Sequence, residues 1–274
     1  MLVQRPVKKI HDFTEKLTHG DFKTRLQPIR IGEYNTIINA LNQMAEELSG
    51  IEALRTDFVA NVSHVLKTPL AVLQNYGSLL EEPNLSEEKR LEYAKSINRV
   101  TKHLSELITN ILKLSKLETQ KIQPLTKNCN LSEMLCECLI SFESEWDRKN
   151  IEIETDIEDD IYIRTESEML MLVWANLFSN AIKFTPDGGK INVTLHRNKI
   201  GVTVSVADTG CGMDENTMKH IFDKFYQGDT SHSVMGNGLG LALVKRVIDI
   251  LNGEITVEST PGEGSTFTVK LKTN

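Results

Sequence analysis

The stretch Asn61-Val62-Ser63-His64-Val65-Leu66-Lys67-Thr68-Pro69-Leu70 decides how the first half of this sequence is read. Around it, apolar residues recur at Leu54, Phe58, Val62, Leu66, Leu70, Leu73 and Leu80, a stripe of helical period. On such a helix His64 and Thr68 are four apart and share a face, with Lys67 beside them. Pro69 removes a backbone donor and is expected to bend the helix one turn past the histidine. A histidine on an apolar stripe is more often an ordinary surface or core residue than a chemical one. Sequence further downstream reverses that balance.

Toward the N-terminus, residues 6–51 read as two short helices around a non-helical connector. The first carries Val7, Ile10, Phe13 and Leu17 and stops at Gly20, a suitable C-cap. The connector, Asp21 to Gly32, contains Pro28. The second helix has Ile37, Leu41, Met44, Leu48 and Ile51 at 4-3-4-3 spacing, a coiled-coil seam. Neither helix can bury such a seam alone, so a dimeric four-helix bundle is expected. After Ile51 the next seam position is Arg55, yet apolar character resumes at Leu54 and Phe58. That phase break suits either a stammer that overwinds the helices or an ordinary junction.

Toward the C-terminus, residues 52–119 read as a helical hairpin. Its first helix is expected to end near Glu82, with a turn at Pro83-Asn84-Leu85 and Ser86 as N-cap before Glu87 and Glu88. The second helix carries Leu91, Ala94, Ile97, Thr101, Leu104, Ile108, Ile111 and Leu114, and again calls for a partner hairpin. Pro124 separates this hairpin from a mixed region, where helices at about 131–148, 166–185 and 239–252 alternate with strand-like runs. Ile151–Glu154, Ile191–Leu195, Val202–Val206, Ile255–Val257 and Phe267–Leu271 show period-two alternation. The fold class is therefore multidomain: all-α dimeric four-helix bundles, then an α+β sandwich with helices on one face of a mixed sheet. The expected division is 1–51, 52–120 and 125–274.

Composition narrows the function classes. The 274 residues suffice for about two domains, and 40% hydrophobic with 25% charged residues is ordinary for a soluble chain. A formal net charge of −7 without a Lys/Arg block argues against a nucleic-acid partner. Cys129, Cys136, Cys138 and Cys211 fit neither a disulfide framework nor paired zinc spacing, and read as reduced thiols. The longest apolar run, Met169 to Ala175, is too short to span a bilayer.

Three segments carry chemistry. Asn176, Asn180 and Lys183 lie at i, i+4 and i+7 on one helical face, where amide oxygens suit Mg²⁺ and an ammonium suits phosphate. Asp208-Thr209-Gly210-Cys211-Gly212-Met213 follows a strand. Its carboxylate can accept from an exocyclic amine, and its glycines admit a ligand close to the backbone. Gly236-Asn237-Gly238-Leu239-Gly240-Leu241 opens a helix whose N–H groups can hold phosphate oxygens. Each alone is weak evidence; in this order they are strong.

In these residues the sequence resembles the sensor histidine kinases of two-component systems. Pro6, Gly20-Asp21-Phe22 and Gly32-Glu33-Tyr34 before a heptad helix resemble a HAMP domain, which would follow a transmembrane segment upstream of this chain. "SHVLKTPL" resembles the phospho-acceptor box, "NLFSNAIK" the N box, "DTGCGM" the G1 box, "IFDKF" (Ile221–Phe225) the F box and "GNGLGL" the G2 box. The resemblance implies a HAMP relay, a dimerisation and phosphotransfer bundle, and a Bergerat-type ATP-binding sandwich, together the cytoplasmic portion of a bacterial membrane protein. His64 would accept the γ-phosphate of ATP and pass it to an aspartate of a response regulator. Asn180, with Asn176, would hold Mg²⁺, and Lys183 would neutralise phosphate charge. Asp208 would recognise the adenine amine in a pocket shaped by Gly210 and Gly212. Gly236, Gly238, Leu239 and Gly240 would line the phosphate side. Residues about 213–237 would form a lid anchored by Phe222 and Phe225. Thr68 would position a water that hydrolyses the regulator's aspartyl phosphate; its plainer reading is a helix hydroxyl bonded back to a carbonyl.

This sequence departs from the family in three places. Val65 stands where the family has an acidic residue after the histidine, a loss of general-base help worth roughly 10²–10⁴ in rate. Gln227 stands where an arginine often reaches the γ-phosphate, with Lys224 as a partial substitute. Lys67 replaces a more common arginine. Slow autophosphorylation with spared phosphatase activity is the expectation. The alternative is a nucleotide-binding scaffold or phosphatase-biased regulator impaired as a kinase by Val65 and Gln227. A gyrase-, mismatch-repair- or chaperone-type ATPase would lack the His64 hairpin.

Overall fold

The computed structural model describes residues 4–29, 32–119, 127–228 and 237–272. The chain divides into two compact units, 1–68 and 69–274. Among the described residues no helix is long and apolar enough to cross a membrane.

The first unit contains helix α1 (Gln4–Thr18) and the start of helix α2 (Gly32–Leu80). Gly20 follows α1 with φ of +85°, the left-handed conformation of a helix stop. The connector is held to α2 by asparagines one heptad apart. Asn35 accepts from Ile29 N–H and donates to Ile29 C=O, each at 2.9 Å. Asn42 accepts from Leu26 N–H at 2.8 Å and donates to Leu26 C=O at 2.9 Å. An extended segment with no sheet partner thus has backbone groups satisfied by carboxamides.

Helix α2 is not the short helix expected after the connector. It continues without a break through Ile51 and through Pro69 to Leu80, close to the expected end near Glu82. Its buried positions, Ile38 and Ala45, fall one residue after Ile37 and Met44 of the seam. Ile37, Met44 and Ile51 are themselves exposed, so this part of α2 carries two apolar faces.

In the second unit, α2 ends in the expected turn, and helix α3 (Glu87–Thr119) follows. Ser86 Oγ accepts from Lys89 N–H at 3.4 Å, with Glu87 and Glu88 in the first turn. The Tyr76 and Tyr93 rings meet at 5.5 Å across the hairpin. Leu107, Leu114 and Leu117 of α3 are buried, while Leu91, Ile108 and Leu112 remain exposed.

The sandwich is built from β1 (Lys127–Asn130), α4 (Leu131–Ile140), α5 (Glu143–Arg148), β2 (Glu152–Ile157), β3 (Tyr162–Thr165), α6 (Ser167–Phe184), β4 (Lys190–Arg197), β5 (Gly201–Asp208), α7 (Glu215–His220), α8 (Gly240–Ile250), β6 (Glu254–Thr260) and β7 (Gly264–Lys272). The main sheet has the order β2-β4-β5-β7-β6, with β2 parallel to β4 and every other pair antiparallel. β1 and β3 form a separate antiparallel pair that the alternation pattern did not reveal.

Alternation decides which face meets the helices. Ile191, Val193 and Leu195 of β4, Val202, Val204 and Val206 of β5, and Phe267, Val269 and Leu271 of β7 are buried. Against them lie Leu170, Val173, Trp174, Leu177 and Phe178 of α6 and Leu243, Val244, Val247 and Ile248 of α8. Each such side chain contributes about 1.5–3 kcal/mol by leaving water. That core fixes the helix ends from which the site is made.

Candidate functional site

An open cleft of about 270 Å³ lies between α6, the turn after β5, the start of α8 and a face of α3. Its volume is near the lower end of the range for small-molecule pockets, roughly 300–1,000 Å³. The fold brings together Asn176, Asn180, Lys183, Asp208, Gly212, Gly238 and Gly240 in its lining.

The α6 wall comes first. Val173, Leu177 and Ala181 face the sheet and are buried, which turns Asn176, Asn180 and Lys183 toward the cleft. Asn176 spends its amide N–H on the Leu172 carbonyl at 2.7 Å, leaving its oxygen free to accept. That oxygen lies 2.6 Å from where a Cβ on Gly240 would sit, so a larger residue there would push the Asn176 carboxamide aside. Lys183 Nζ rests 4.7 Å from the Phe184 ring centre, and burial holds its ammonium below the usual lysine range.

The wall after β5 is set by Asp208. Burial raises its carboxyl above the usual range, against N–H groups of Gly210 and Ser265 that stabilise the charged form. Gly210 N–H donates to Asp208 Oδ1 at 2.8 Å, and acceptor capacity remains for a ligand amine. Gly210 is itself outside the lining. Gly212 has φ of +63°, and a Cβ there would sit 1.9 Å from the Thr260 carbonyl oxygen. This turn therefore tolerates no side chain at that point.

The third wall is strained. Gly238 has φ of +65°, and a Cβ on it would lie 2.6 Å from the Phe225 carbonyl carbon. Phe225, a bulky residue with φ of +64°, donates its N–H to the Gly238 carbonyl at 2.8 Å. A left-handed aromatic residue costs roughly 1–2 kcal/mol, and here one backbone bond holds it against the glycine. Leu239 is fully buried and anchors the α8 start rather than lining the cleft. Phe222 and Phe225, both half-buried, are also outside the lining. Lys224 is ion-paired with Glu118 of α3 and does not line the cleft either. Gly236 and the lid residues 229–236 lie outside the described residues, as does Pro124.

Several lining residues carried no role in the sequence reading. Phe184 and Tyr226 are aromatic and polarisable, suited to a base or ribose. His103, Glu106 and Asn110 come from α3. Their i, i+3, i+7 spacing shows a shared helical face, but nothing in the sequence says that face meets the sandwich. Gln227, noted as a departure from the arginine pattern, does line the cleft.

His64, Lys67 and Thr68 belong to the first unit, exposed on α2. Ser63 turns its hydroxyl back to the Val59 carbonyl at 2.8 Å. Among the described residues Thr68 makes no such bond.

The residues present fit a nucleotide with a hard cation. Carboxamide oxygens of Asn176 and Asn180 lie on the wall that ends in an ammonium. Among the described residues no cluster of three His, Cys, Asp or Glu could form a cage for a metal. This donor set suits Mg²⁺ completed by phosphate oxygens and water.

Residues 1–50 match the HAMP domain, 54–120 the His Kinase A (phospho-acceptor) domain, and 165–274 the histidine kinase-, DNA gyrase B- and HSP90-like ATPase. The chain belongs to the sensor histidine kinases. The chain is 31% identical over 268 residues to the heme sensor protein HssS of Staphylococcus saprophyticus, covering 98% of this chain and 57% of that protein. It therefore spans less than two thirds of the length of that relative. Among solved structures it resembles full-length ShkA in complex with AMPPNP (27% identity, TM-score 0.60, 80% of this chain and 46% of that one). It also shares the fold of histidine kinase ThkA in complex with response regulator TrrA (24% identity, TM-score 0.69, 85% and 66%).

Proposed function

We propose that this kinase phosphorylates its own His64 from ATP and passes the phosphoryl group to an aspartate on a response regulator. The observation that carries the reading is the cleft itself, where carboxamides, an ammonium, a buried carboxylate and close-approach glycines share one lining. A ring nitrogen of His64 forms a bond to the γ-phosphorus as the bond to the β-phosphate oxygen breaks, and ADP leaves with that electron pair. Asp208 accepts from the adenine amine, and Lys183 offsets negative charge at the phosphates. Asn180 and Asn176 are the residues that would hold Mg²⁺, which when bound neutralises phosphate charge. His64 and Thr68 stand exposed on α2, available to a regulator, and a Thr68 hydroxyl that bonds to no group among the described residues supports a phosphatase role through a positioned water.

The division into 1–51 as relay, 52–120 as dimerisation and phosphotransfer hairpin and 125–274 as ATP-binding domain belongs to the same reading. So does a homodimer: exposed Ile37, Met44 and Ile51 on α2, and exposed Leu91, Ile108 and Leu112 on α3, are apolar surface that a second copy would cover. The parent protein is then a membrane sensor whose cytoplasmic portion is this chain.

A second reading has a specific observation behind it. Val65 offers His64 no proton acceptor, and Lys224 is engaged with Glu118 rather than standing in for the arginine missing at Gln227. A phosphatase-biased regulator follows. Incubation with γ-labelled ATP separates the two: the kinase yields an acid-labile, alkali-stable phosphoprotein that disappears in His64→Gln. Label that persists in this variant, or an unaltered chain that binds no adenine nucleotide, defeats the first reading.

A further inference from the structure

The end of α6 raises an accounting question, because the last four carbonyls of a helix have no partner within it. Ala181 C=O accepts from Thr185 N–H at 3.0 Å and from the Thr185 hydroxyl at 2.6 Å. Ile182, Lys183 and Thr185 carbonyls all accept from one ammonium, Lys149 Nζ, at 2.8, 3.0 and 2.8 Å. Lys149 comes from a separate element, the residue that ends α5. Its own carbonyl accepts from Gly188 N–H at 2.8 Å, so side chain and main chain grip the two ends of the 185–188 turn.

That turn joins two walls of the cleft. The Phe184 carbonyl packs against Gly210, 2.8 Å from where a Cβ would be. Just beyond the turn, Lys190 N–H donates to the Thr209 hydroxyl at 2.9 Å, and Thr209 N–H donates to the Lys190 carbonyl at 3.0 Å. A cation at a helix C-terminus is favoured by the helix dipole, and three charge-assisted bonds fix it there. One of the three residues whose carbonyls are held is Lys183, whose ammonium faces the cleft over Phe184.

We propose that Lys149 is a positioning residue for the phosphate end of the nucleotide site, acting through Lys183. This rests on the reading of the cleft given above. Lys149 itself touches no ligand. It holds the last turn of α6 closed, so that the Lys183 side chain leaves the helix from a fixed backbone. Without it, carbonyls of that turn seek water, the turn opens, and the ammonium loses its aim.

The test titrates the full chain with ATP, ADP and adenosine, using Lys149→Met, Lys149→Arg, Lys183→Met and the Lys149→Met/Lys183→Met double variant. Melting without nucleotide establishes that each is folded at the assay temperature. Lys149→Met is expected to weaken ATP and ADP about tenfold and adenosine less than about twofold, with Lys149→Arg restoring most of the loss. In the double variant the effects are expected not to add, because one residue acts through the other. Equal losses for adenosine and ATP, or additive losses in the double variant, reduce Lys149 to a structural cap and overturn the proposal. If the Lys149→Met chain does not fold, Lys149→Gln, which keeps a weaker neutral donor, decides by the same ATP-to-adenosine ratio. If Lys183→Met binds ATP as well as the unaltered chain does, the reading of the cleft fails first and takes this proposal with it.

Discussion

At the scale of single residues, Asp208 shows how binding and stability pull apart. Its carboxyl is buried, and that burial holds it above the usual carboxylate range. A raised value means that the neutral form is the better accommodated one. The associated stability is full below the unfolded-state value and is lost as pH rises through the folded-state value. At pH 7 the charged group is thus a cost to the fold, which the proposed hydrogen bond to an adenine amine would explain. Asp208→Asn is expected to melt higher than the unaltered chain at pH 7, with the gain shrinking toward pH 3. The same change is expected to weaken ATP roughly ten- to a hundredfold, since a hydrogen bond to a charged group is worth about 1.5–3 kcal/mol. Calorimetric melts across pH, paired with nucleotide titration, check both halves. Val65 is the opposite case, an apolar residue beside the imidazole proposed to accept phosphate. Val65→Glu is expected to speed transfer from ATP to His64 by up to roughly 10²–10⁴. An unchanged single-turnover rate would mean that position 65 does not limit proton removal.

At the scale of elements, the cleft depends on backbone more than on side chains. The start of α8 approaches the Phe225–Tyr226 segment so closely that position 238 has room for hydrogen alone. Gly238→Ala adds both a left-handed alanine and a Cβ overlapping the Phe225 backbone. We expect it to abolish detectable nucleotide binding while leaving far-UV circular dichroism of the sheet unchanged. Retained ATP affinity would show that the α8 start can shift without harm. Helix α2 teaches a different lesson about elements. Its heptad positions Ile37, Met44 and Ile51 are exposed, whereas Ile38 and Ala45 are buried. A single period cannot show that one helix serves two apolar partners, because stripes one residue apart overlap in sequence.

At the scale of the whole molecule, the cysteines report independently on the fold and on the cleft. Cys136 and Cys211 are exposed, whereas Cys138 is buried and its thiol is pushed up to about 11. Alkylation at pH 8 is expected to reach Cys136 and Cys211 quickly and Cys138 only after unfolding. Cys211 lines the cleft, so ATP with Mg²⁺ is expected to protect it while leaving Cys136 reactive. Peptide mapping after labelling checks this, and equal labelling of Cys211 with and without nucleotide would place the ligand elsewhere.

Local pattern alone determined the helical hairpin with its Ser86 cap and the alternating strands, while the segments around Asn176, Asp208 and Gly238 were legible through their resemblance to the boxes of a known family. Strand alternation is written in a spacing of two, helix stripes in one of three-and-a-half, and the cap in residues three apart, all within reach of neighbours along the chain. Tertiary structure decided what no spacing encodes. It set the β2-β4-β5-β7-β6 order, paired β1 with β3, carried His103, Glu106 and Asn110 to the cleft and directed Lys224 to Glu118. It also placed the Lys149 ammonium on the last carbonyls of α6. These are meetings between residues far apart in the chain, set by which faces can be buried together, and a one-dimensional pattern holds no measure of that distance.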